Sequence, residues 1–476
     1  MELIGRLEPA EKLRQRLRSK NAELVAVLGR RRVGKTFLIK QVLKKEIVFH
    51  YTGLHNGTMK ENLERFSATL SNAMDLSIRL NTPKNWFEAF DYLRTFIITH
   101  TTKKKKVIFL DEFPWIATNK SKFLVAFTDF WNSFAADRQD IMVVICGSSA
   151  SWMIQKVLKN KGGLHNRVTD RIFLEPFDLK ETKSFLRNKN IILTDVDIVK
   201  LYMAIGGIPY YLEQFQKGES IVQGIDRVCF EKGALLRIEY NELLTSLFDQ
   251  AEKHQLVIDL LSENPRGLQR AEIMERTKLS SGGGTSSIFE ELEVSGFIVS
   301  QTPFGNKIKE KIYRLKDYYI LFYTKFIKNS KPSTHHLWEK MATLPSYKSW
   351  SGLAFENVCI DHIDPIKKAL KIDGILSNSE AWHSRGNDEM PGAQIDLLID
   401  RADGIINICE IKFVNAPFTI TAEYLKNLQL KIASFQHFTK TRKTLFPTMI
   451  TTFGLVDNIH SNGFIQQSVE VKDLFL

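Results

Sequence analysis

The 476-residue chain holds only four cysteines, Cys146, Cys229, Cys359 and Cys409. They lie far apart and three sit in apolar surroundings, so they read as buried thiols. That excludes a disulfide framework and a zinc site built on paired cysteines. No apolar run approaches the about 20 residues needed to cross a bilayer, and no membrane partner is expected. Met1-Glu2-Leu3-Ile4-Gly5-Arg6 lacks the apolar core of a signal peptide, so a cytoplasmic location is expected. Internal repeats and low-complexity tracts are missing as well. No acid–histidine–nucleophile set surrounds His165, and the adjacent His335 and His336 lack metal-ligand spacing. Acidic charge is the scarcer sign. Against 66 Lys and Arg stand 54 Asp and Glu, and the net charge of +12 favours an anionic partner, nucleic acid and DNA first. The length accommodates about three or four domains.

What is present begins with a phosphate-binding loop. The apolar run Leu24–Leu28 leads into Gly29-Arg30-Arg31-Arg32-Val33-Gly34-Lys35-Thr36, and a helical pattern follows over Phe37–Leu43. Gly29 and Gly34 let the backbone curl so that successive N–H groups face phosphates. Lys35 adds a point charge, the Thr36 hydroxyl ligates Mg²⁺, and the helix N-terminus adds its dipole. The segment predicts ATP binding. A second apolar run, Val107-Ile108-Phe109-Leu110, ends in Asp111-Glu112. Asp111 is placed to hold Mg²⁺ and Glu112 to polarise the attacking water. The preceding Lys103–Lys106 reads as a solvated strand entrance.

A third strand, Ile141–Cys146, runs into Gly147-Ser148-Ser149, with Ser148 the candidate sensor of the γ-phosphate and Ser149 next. Beyond it, Arg167 or Arg171 would act as an arginine finger, in cis or across the interface of a homo-oligomer. A surface salt bridge is the equal alternative for each. Phe109, Phe113, Trp115, Phe130 and Trp131 read as packing residues. Gly206-Gly207-Ile208-Pro209 interrupts a helical region with a tight turn and a preset first helical turn.

Taken in order, Ile4-Gly5-Arg6, the Gly29–Thr36 loop, Phe109-Leu110-Asp111-Glu112, Gly147-Ser148-Ser149, Leu174-Glu175-Pro176-Phe177 and Gly206-Gly207-Ile208-Pro209 resemble the archaeal-type AAA ATPases, close to the signal-transduction (STAND) ATPases. The resemblance covers roughly residues 1 to 240. It implies a parallel sheet in which another strand separates the two motif strands. It also implies a helical lid from which Pro209 faces the nucleotide.

Residues 253–318 change rhythm: three helical patterns, then short strands around Pro303-Phe304-Gly305-Asn306. This predicts a winged helix. Glu290, Glu291 and Glu293 on its third helix oppose a phosphate-lined groove, so protein docking or a spacer role is favoured over duplex binding. Lys307, Lys309 and Lys311 on the wing would still reach a backbone.

Past a linker at Asn329–Thr334, the helix Trp350–Ile360 carries the acid Glu356 amid apolar residues. Gln394-Ile395-Asp396 opens a strand, and Cys409-Glu410-Ile411-Lys412 lies on its hairpin partner. The hairpin juxtaposes Asp396 with Glu410, while Glu410 and Lys412, two apart, share a face. Two carboxylates would hold Mg²⁺ or Mn²⁺, Lys412 would stabilise developing charge, and Glu356 would complete the set. Gln429 would add a polar contact. The pattern resembles the PD-(D/E)xK phosphodiesterases, which implies a restriction-endonuclease-like fold. The Glu-x-Lys element is complete here, and the Pro-Asp element is represented only by Gln-Ile-Asp.

The expected fold is therefore α/β: a P-loop NTPase core over 1–177, a helical lid over 178–245, a winged helix over 246–328 and an endonuclease-like domain over 335–476. The expected function is an ATPase that controls a metal-dependent DNA endonuclease. The alternative is a STAND-like switch whose last domain binds nucleic acid or a protein partner without cutting, and an ATP-dependent assembly factor stands third.

Overall fold

Runs of apolar residues with no polar interruption make strands that are buried on both faces, the mark of a parallel sheet covered by helices. β1 (Glu23–Leu28), β2 (Ile47–Thr52), β3 (Lys106–Asp111), β4 (Ile141–Cys146) and β5 (Asp170–Phe173) form such a sheet in the order β2-β3-β4-β1-β5. All its pairings are parallel, and β1, β3 and β4 are buried at every position. β4 separates the two motif strands. Their carboxyl ends, with Gly29, Asp111 and Gly147, open on one edge of the sheet. The helices Met59–Ala73 and Trp86–Thr99 cover one face with an aromatic core of Phe66, Trp86, Phe90, Phe113, Phe123 and Phe127. A Thr58–Glu61 capping box fixes the start of the first, a feature that contributes about 1 kcal/mol.

The chain in this computed structural model is described for all residues except 1–2, 78, 103, 160–163, 165, 249, 281–282, 306–310 and 333–335. It divides into two compact units, Met1–Pro176 and Phe177–Leu476. His165, Lys307, Lys309 and His335 lie outside the described residues. All four cysteines are buried and free. Among the described residues no helix is long and apolar enough to cross a membrane.

The lysine run before β3 differs from the solvated entrance expected. Lys106 is buried and donates to Ile97 O at 2.9 Å and Asp140 Oδ2 at 3.1 Å. Lys105 Nζ donates to Asn21 O at 2.6 Å, and burial lowers its pKa. Lys104 remains largely exposed, beside Glu46. A buried ammonium needs acceptors, and Asp140, just ahead of β4, supplies one that lies far away in sequence.

In the second unit, Asp178 caps the helix Leu179–Asn188 through a capping box with Glu181. The helix Asp195–Ile205 ends at Gly206, with φ +66°, and Pro209 begins the short helix Pro209–Leu212. A Cβ on Gly207 would stand 1.8 Å from Phe177 O, so the Phe177 N–H···O=C Gly207 bond at 2.7 Å needs glycine there. Next come the helices Ala251–Glu263, Arg270–Thr277 and Gly283–Val294 with β6 (Leu268–Gln269), β7 (Ile298–Gln301) and β8 (Ile312–Leu315), antiparallel in the order β6-β8-β7. The acids of the third helix have partners inside the chain: Glu291 meets His254 Nε2 at 2.8 Å, and Glu293 accepts from Ser300 N at 3.2 Å.

The last region is a mixed sheet, β13-β12-β11-β10-β9. β9 (Ser377–Gly386), β10 (Pro391–Arg401) and β11 (Ile405–Lys412) are antiparallel neighbours. The helix Ala422–Thr439 then crosses to β12 (Thr444–Thr451), which runs parallel to β11 and to β13 (Gln467–Glu470). The helix Pro345–Asp361 packs on β11. Phe304, between β7 and β8, packs on Phe435 and donates its N–H to Ala381 O at 3.2 Å, which ties the middle region to the edge strand β9.

Candidate functional site

At the carboxyl edge of the first sheet, the loop after β1 turns at Gly29 (φ +143°) and Gly34 (φ +93°). A Cβ on Gly29 would lie 2.4 Å from Leu174 O, so this glycine is required by space as well as by dihedral. Lys35 opens the helix Lys35–Leu43. Its ammonium is buried and donates to Gly29 O at 2.8 Å and Arg30 O at 2.9 Å, and burial lowers its pKa. Thr36 Oγ1 donates to Asp111, 3.0 Å from Oδ2. Burial alone would raise the pKa of Asp111, but the nearby His50 ring and hydrogen bonds from Cys146 and Thr36 outweigh it and hold the carboxyl below its usual range. Cys146 Sγ donates to Asp111 Oδ1 at 2.7 Å, and burial followed by the Asp111 charge pushes this thiol well up. Glu112 adopts φ +45°, and its Oε2 accepts from Ser148 N at 3.0 Å and Ser148 Oγ at 2.8 Å.

The loop, Lys35, Thr36, Asp111, Glu112 and Ser148 thus come together. The set suits a Mg²⁺–nucleotide: hard oxygen donors on Thr36 and Asp111, a buried ammonium and a helix N-terminus. Arg30, Arg31, Arg32 and Val33 lie in the loop itself. Arg167 and Arg171 are exposed, the first in a turn closed by its N–H on Leu164 O and the second on β5. Pro209 belongs to the second unit.

A second cluster forms on the last sheet. The β9–β10 register shifts between Ile395, paired with Trp382, and Leu398, paired with Glu380, a bulge that contains Asp396. Bulges re-aim side chains and recur beside active sites. Asp396 Oδ2 accepts from Ile411 N at 3.4 Å. Glu410 is buried. Its Oε1 accepts from Tyr424 OH at 3.0 Å and pairs with Lys412 Nζ at 2.8 Å, while its Oε2 pairs with Lys431 Nζ at 2.8 Å. Burial would raise the Glu410 pKa, yet the two lysines lower it overall. Burial likewise opposes the Lys412 charge but is outweighed by Glu410, so its pKa rises.

Asp396 and Glu356 move the other way. Burial and then the Glu410 charge raise Asp396, and burial and then the Asp396 charge push Glu356 up to about 8. Among the described residues no group of three or more His, Cys, Asp or Glu is assembled to hold a metal ion. Asp396 and Glu410 are the carboxylates that could offer oxygens to a divalent cation here, since Mg²⁺ is commonly bound by one or two carboxylates and keeps several waters, and Glu410 would have to exchange a lysine for it. Glu356 and Asp396 also line a cleft of about 640 Å³ between the middle region and β9–β10.

Residues 4–215 match the family described as an ATPase domain predominantly from Archaea. This part of the chain is an archaeal-type ATPase domain. An uncharacterized protein of Methanocaldococcus jannaschii, MJECL04, is 24% identical over 389 residues, 81% of this chain and 82% of its own length. An uncharacterized ATP-binding protein of the same organism, MJ1659, is 29% identical over 170 residues, 35% of this chain and 45% of its own length. Among solved structures, the Walker-type ATPase PABY2304 of Pyrococcus abyssi is similar over 68% of this chain and 96% of its own, at 18% identity and a TM-score of 0.49.

Sequence reasoning missed two neighbours of Asp111 in the ATPase domain. Cys146 ends β4 as Asp111 ends β3, and the register Leu110↔Ile145 makes them adjacent. His50 Nε2, on β2 two residues before its end, lies 3.8 Å from Asp111 Oδ2. The implied strand order was the signal for Cys146. In the second cluster, the helix Ala422–Thr439 reaches Glu410 through Tyr424 and Lys431, seven residues apart and so on one face. Gln429, the residue expected to contribute from this helix, is exposed.

Proposed function

We propose that ATP binding and hydrolysis by the ATPase domain control a metal-dependent nuclease site in a restriction-endonuclease-like domain over 335–476, reached through a helical lid over 178–245 and a winged helix over 246–328. The observation that carries this reading is the convergence of Glu356, Asp396, Glu410 and Lys412, from a helix and two strands, at one bulged point of the sheet.

At the first site, Lys35, Thr36 and Asp111 would hold Mg²⁺–ATP, with Ser148 keeping Glu112 oriented to accept a proton from the attacking water. Arg167 or Arg171, in cis or from a second copy, would complete the nucleotide's surroundings. At the second site, Asp396 and Glu410 would hold Mg²⁺ or Mn²⁺, and Lys412 would balance charge that develops on a phosphodiester. A divalent cation bound there supplies Lewis acidity and lowers the pKa of water.

A route for control within the second unit is supported by the Glu356 helix itself. Arg314 reaches Asn357, Tyr318 OH donates to Asp361 Oδ2 at 2.8 Å, and His362 accepts the Leu179 N–H at 3.0 Å through Nε2 while its Nδ1 bonds Val358 O at 2.8 Å. One helix therefore carries Glu356 and ties the lid and middle regions together.

One observation favours the second reading, a switch that binds nucleic acid or protein without cutting: Glu410 is already satisfied by Tyr424, Lys412 and Lys431, as in a structural ion-pair cluster. Incubation with linear, circular, single-stranded and branched DNA, in Mg²⁺ or Mn²⁺ and with or without ATP, separates the two. We expect cleavage by wild type and a loss of roughly 100-fold in Lys412→Ala, with ATP binding kept. If Asp396→Ala and Lys412→Ala leave every nucleic acid handled as before, the nuclease reading falls.

A further inference from the structure

The cleft that holds Glu356 and Asp396 has two walls from different parts of the chain. One is the turn Pro265-Arg266-Gly267 with Gln301, Thr302 and Pro303 of the middle region; the other is Ala381–Arg385 of β9 with Gly392–Gln394 of β10. Each wall carries an exposed arginine, Arg266 on the first and Arg385 on the second. Among the described residues neither guanidinium has a hydrogen bond or ion pair. Arg314, which also lines the cleft, is different: it is buried and bonded to Gln301 and Asn357, so it holds the wall in place.

A cavity near 640 Å³ has the scale of a site that encloses one small molecule (roughly 300–1,000 Å³), enough for about one or two nucleotides. A B-form duplex, whose major groove alone is roughly 12 Å wide, is broader than such a cavity. The carboxylates are therefore approached between walls and not across an open face. Arginine forks suit phosphate oxygens on either side, and Pro303, Ile360 and His383 give the lining flat or apolar surfaces for a base. The third helix, by contrast, has Glu291 and Glu293 engaged within the middle region.

We propose that this cleft takes a single-stranded nucleic-acid segment, such as a splayed end or gap, with Arg266 and Arg385 gripping its backbone from opposite walls. The middle region then serves as a wall of the strand channel and not as a reader of the major groove. This rests on the phosphodiesterase reading of Asp396, Glu410 and Lys412.

The test is fluorescence anisotropy on the full chain in EDTA, with a short labelled DNA strand, the same sequence as RNA, a splayed fork and a blunt duplex across a salt series. Strand and fork are expected to bind at least about tenfold more tightly than the duplex. Arg266→Glu with Arg385→Glu is expected to remove that advantage and flatten the salt slope by about 1.4, for two lost phosphate contacts. Arg266→Lys with Arg385→Lys should restore most of the slope. The DNA and RNA arms decide which polymer is meant. Equal or tighter binding of the blunt duplex, or a Glu/Glu variant that binds like wild type with an unchanged melting temperature, overturns the proposal. Tight strand binding without cleavage in Mg²⁺ leaves the channel standing and removes the nuclease reading. Cleavage that prefers blunt duplex does the reverse.

Discussion

The two polar clusters of this chain are built on opposite electrostatic terms. Around Asp111 every acid faces a donor: Thr36, Cys146 and His50 hold Asp111 below its usual pKa, and Ser148 holds Glu112. Around Asp396 the donors gather on one acid. Tyr424, Lys412 and Lys431 all serve Glu410, while burial and like charge raise both Asp396 and Glu356. In the first cluster the loop N–H groups and the buried Lys35 ammonium favour an anion. The second sets the three carboxyl groups of Glu356, Asp396 and Glu410 beside two lysines, so its charges balance while Glu356 keeps its proton, and a bound cation would let that proton leave.

The sharpest break in this contrast is Glu112→Gln, which should keep ATP binding and lower hydrolysis by about 10²–10⁴-fold; steady-state phosphate release with a parallel nucleotide-binding titration checks both halves. Lys35→Ala should weaken ATP by roughly 10–100-fold, the value of one charge-assisted phosphate contact, and a titration with a fluorescent nucleotide reads it.

The second cluster answers to pH. The folded Glu356 pKa, about 8, lies above its ordinary 4.5, so its contribution to stability is full below about 4.5 and is lost as pH rises through about 8. Metal-free wild type should therefore lose melting temperature over that span relative to Glu356→Gln, and added Mn²⁺ should narrow the gap. The smallest effect belongs to His362, whose pKa burial lowers from 6.5. Its contribution is present above 6.5 and is lost as pH falls below it, so melting curves of wild type and His362→Gln should converge as the solution is acidified.

The first site was legible because its chemistry is local: strand, loop and helix are consecutive, and Gly29, Gly34, Lys35 and Thr36 do their work within one turn of chain. Asp396, Glu410 and Lys412 were legible for a related reason, since a hairpin fixes which residues of two neighbouring strands meet. What escaped depends on packing between distant segments. Lys106 finds Asp140 only once β3 lies beside β4, and Lys431 finds Glu410 only once a crossover helix settles on the sheet. The cleft walls exist because Phe304 anchors the middle region to Phe435 and to Ala381 O. No periodicity in the residues around Arg266 signals that neighbour. The bulge at Asp396 is likewise a property of paired strands and has no mark in Gln394-Ile395-Asp396-Leu397 alone.

The most direct measurement is the Mn²⁺ stoichiometry of the nucleotide-free chain by electron paramagnetic resonance, wild type against Asp396→Asn with Glu410→Gln. If the second cluster takes a cation, the double variant binds one fewer Mn²⁺ per chain while its ATP hydrolysis stays within about twofold, because the substitutions lie in the other compact unit from the ATPase loop and, among the described residues, share no partner with it. Equal Mn²⁺ binding by the two proteins contradicts the account and makes the Glu410 cluster an internal ion pair.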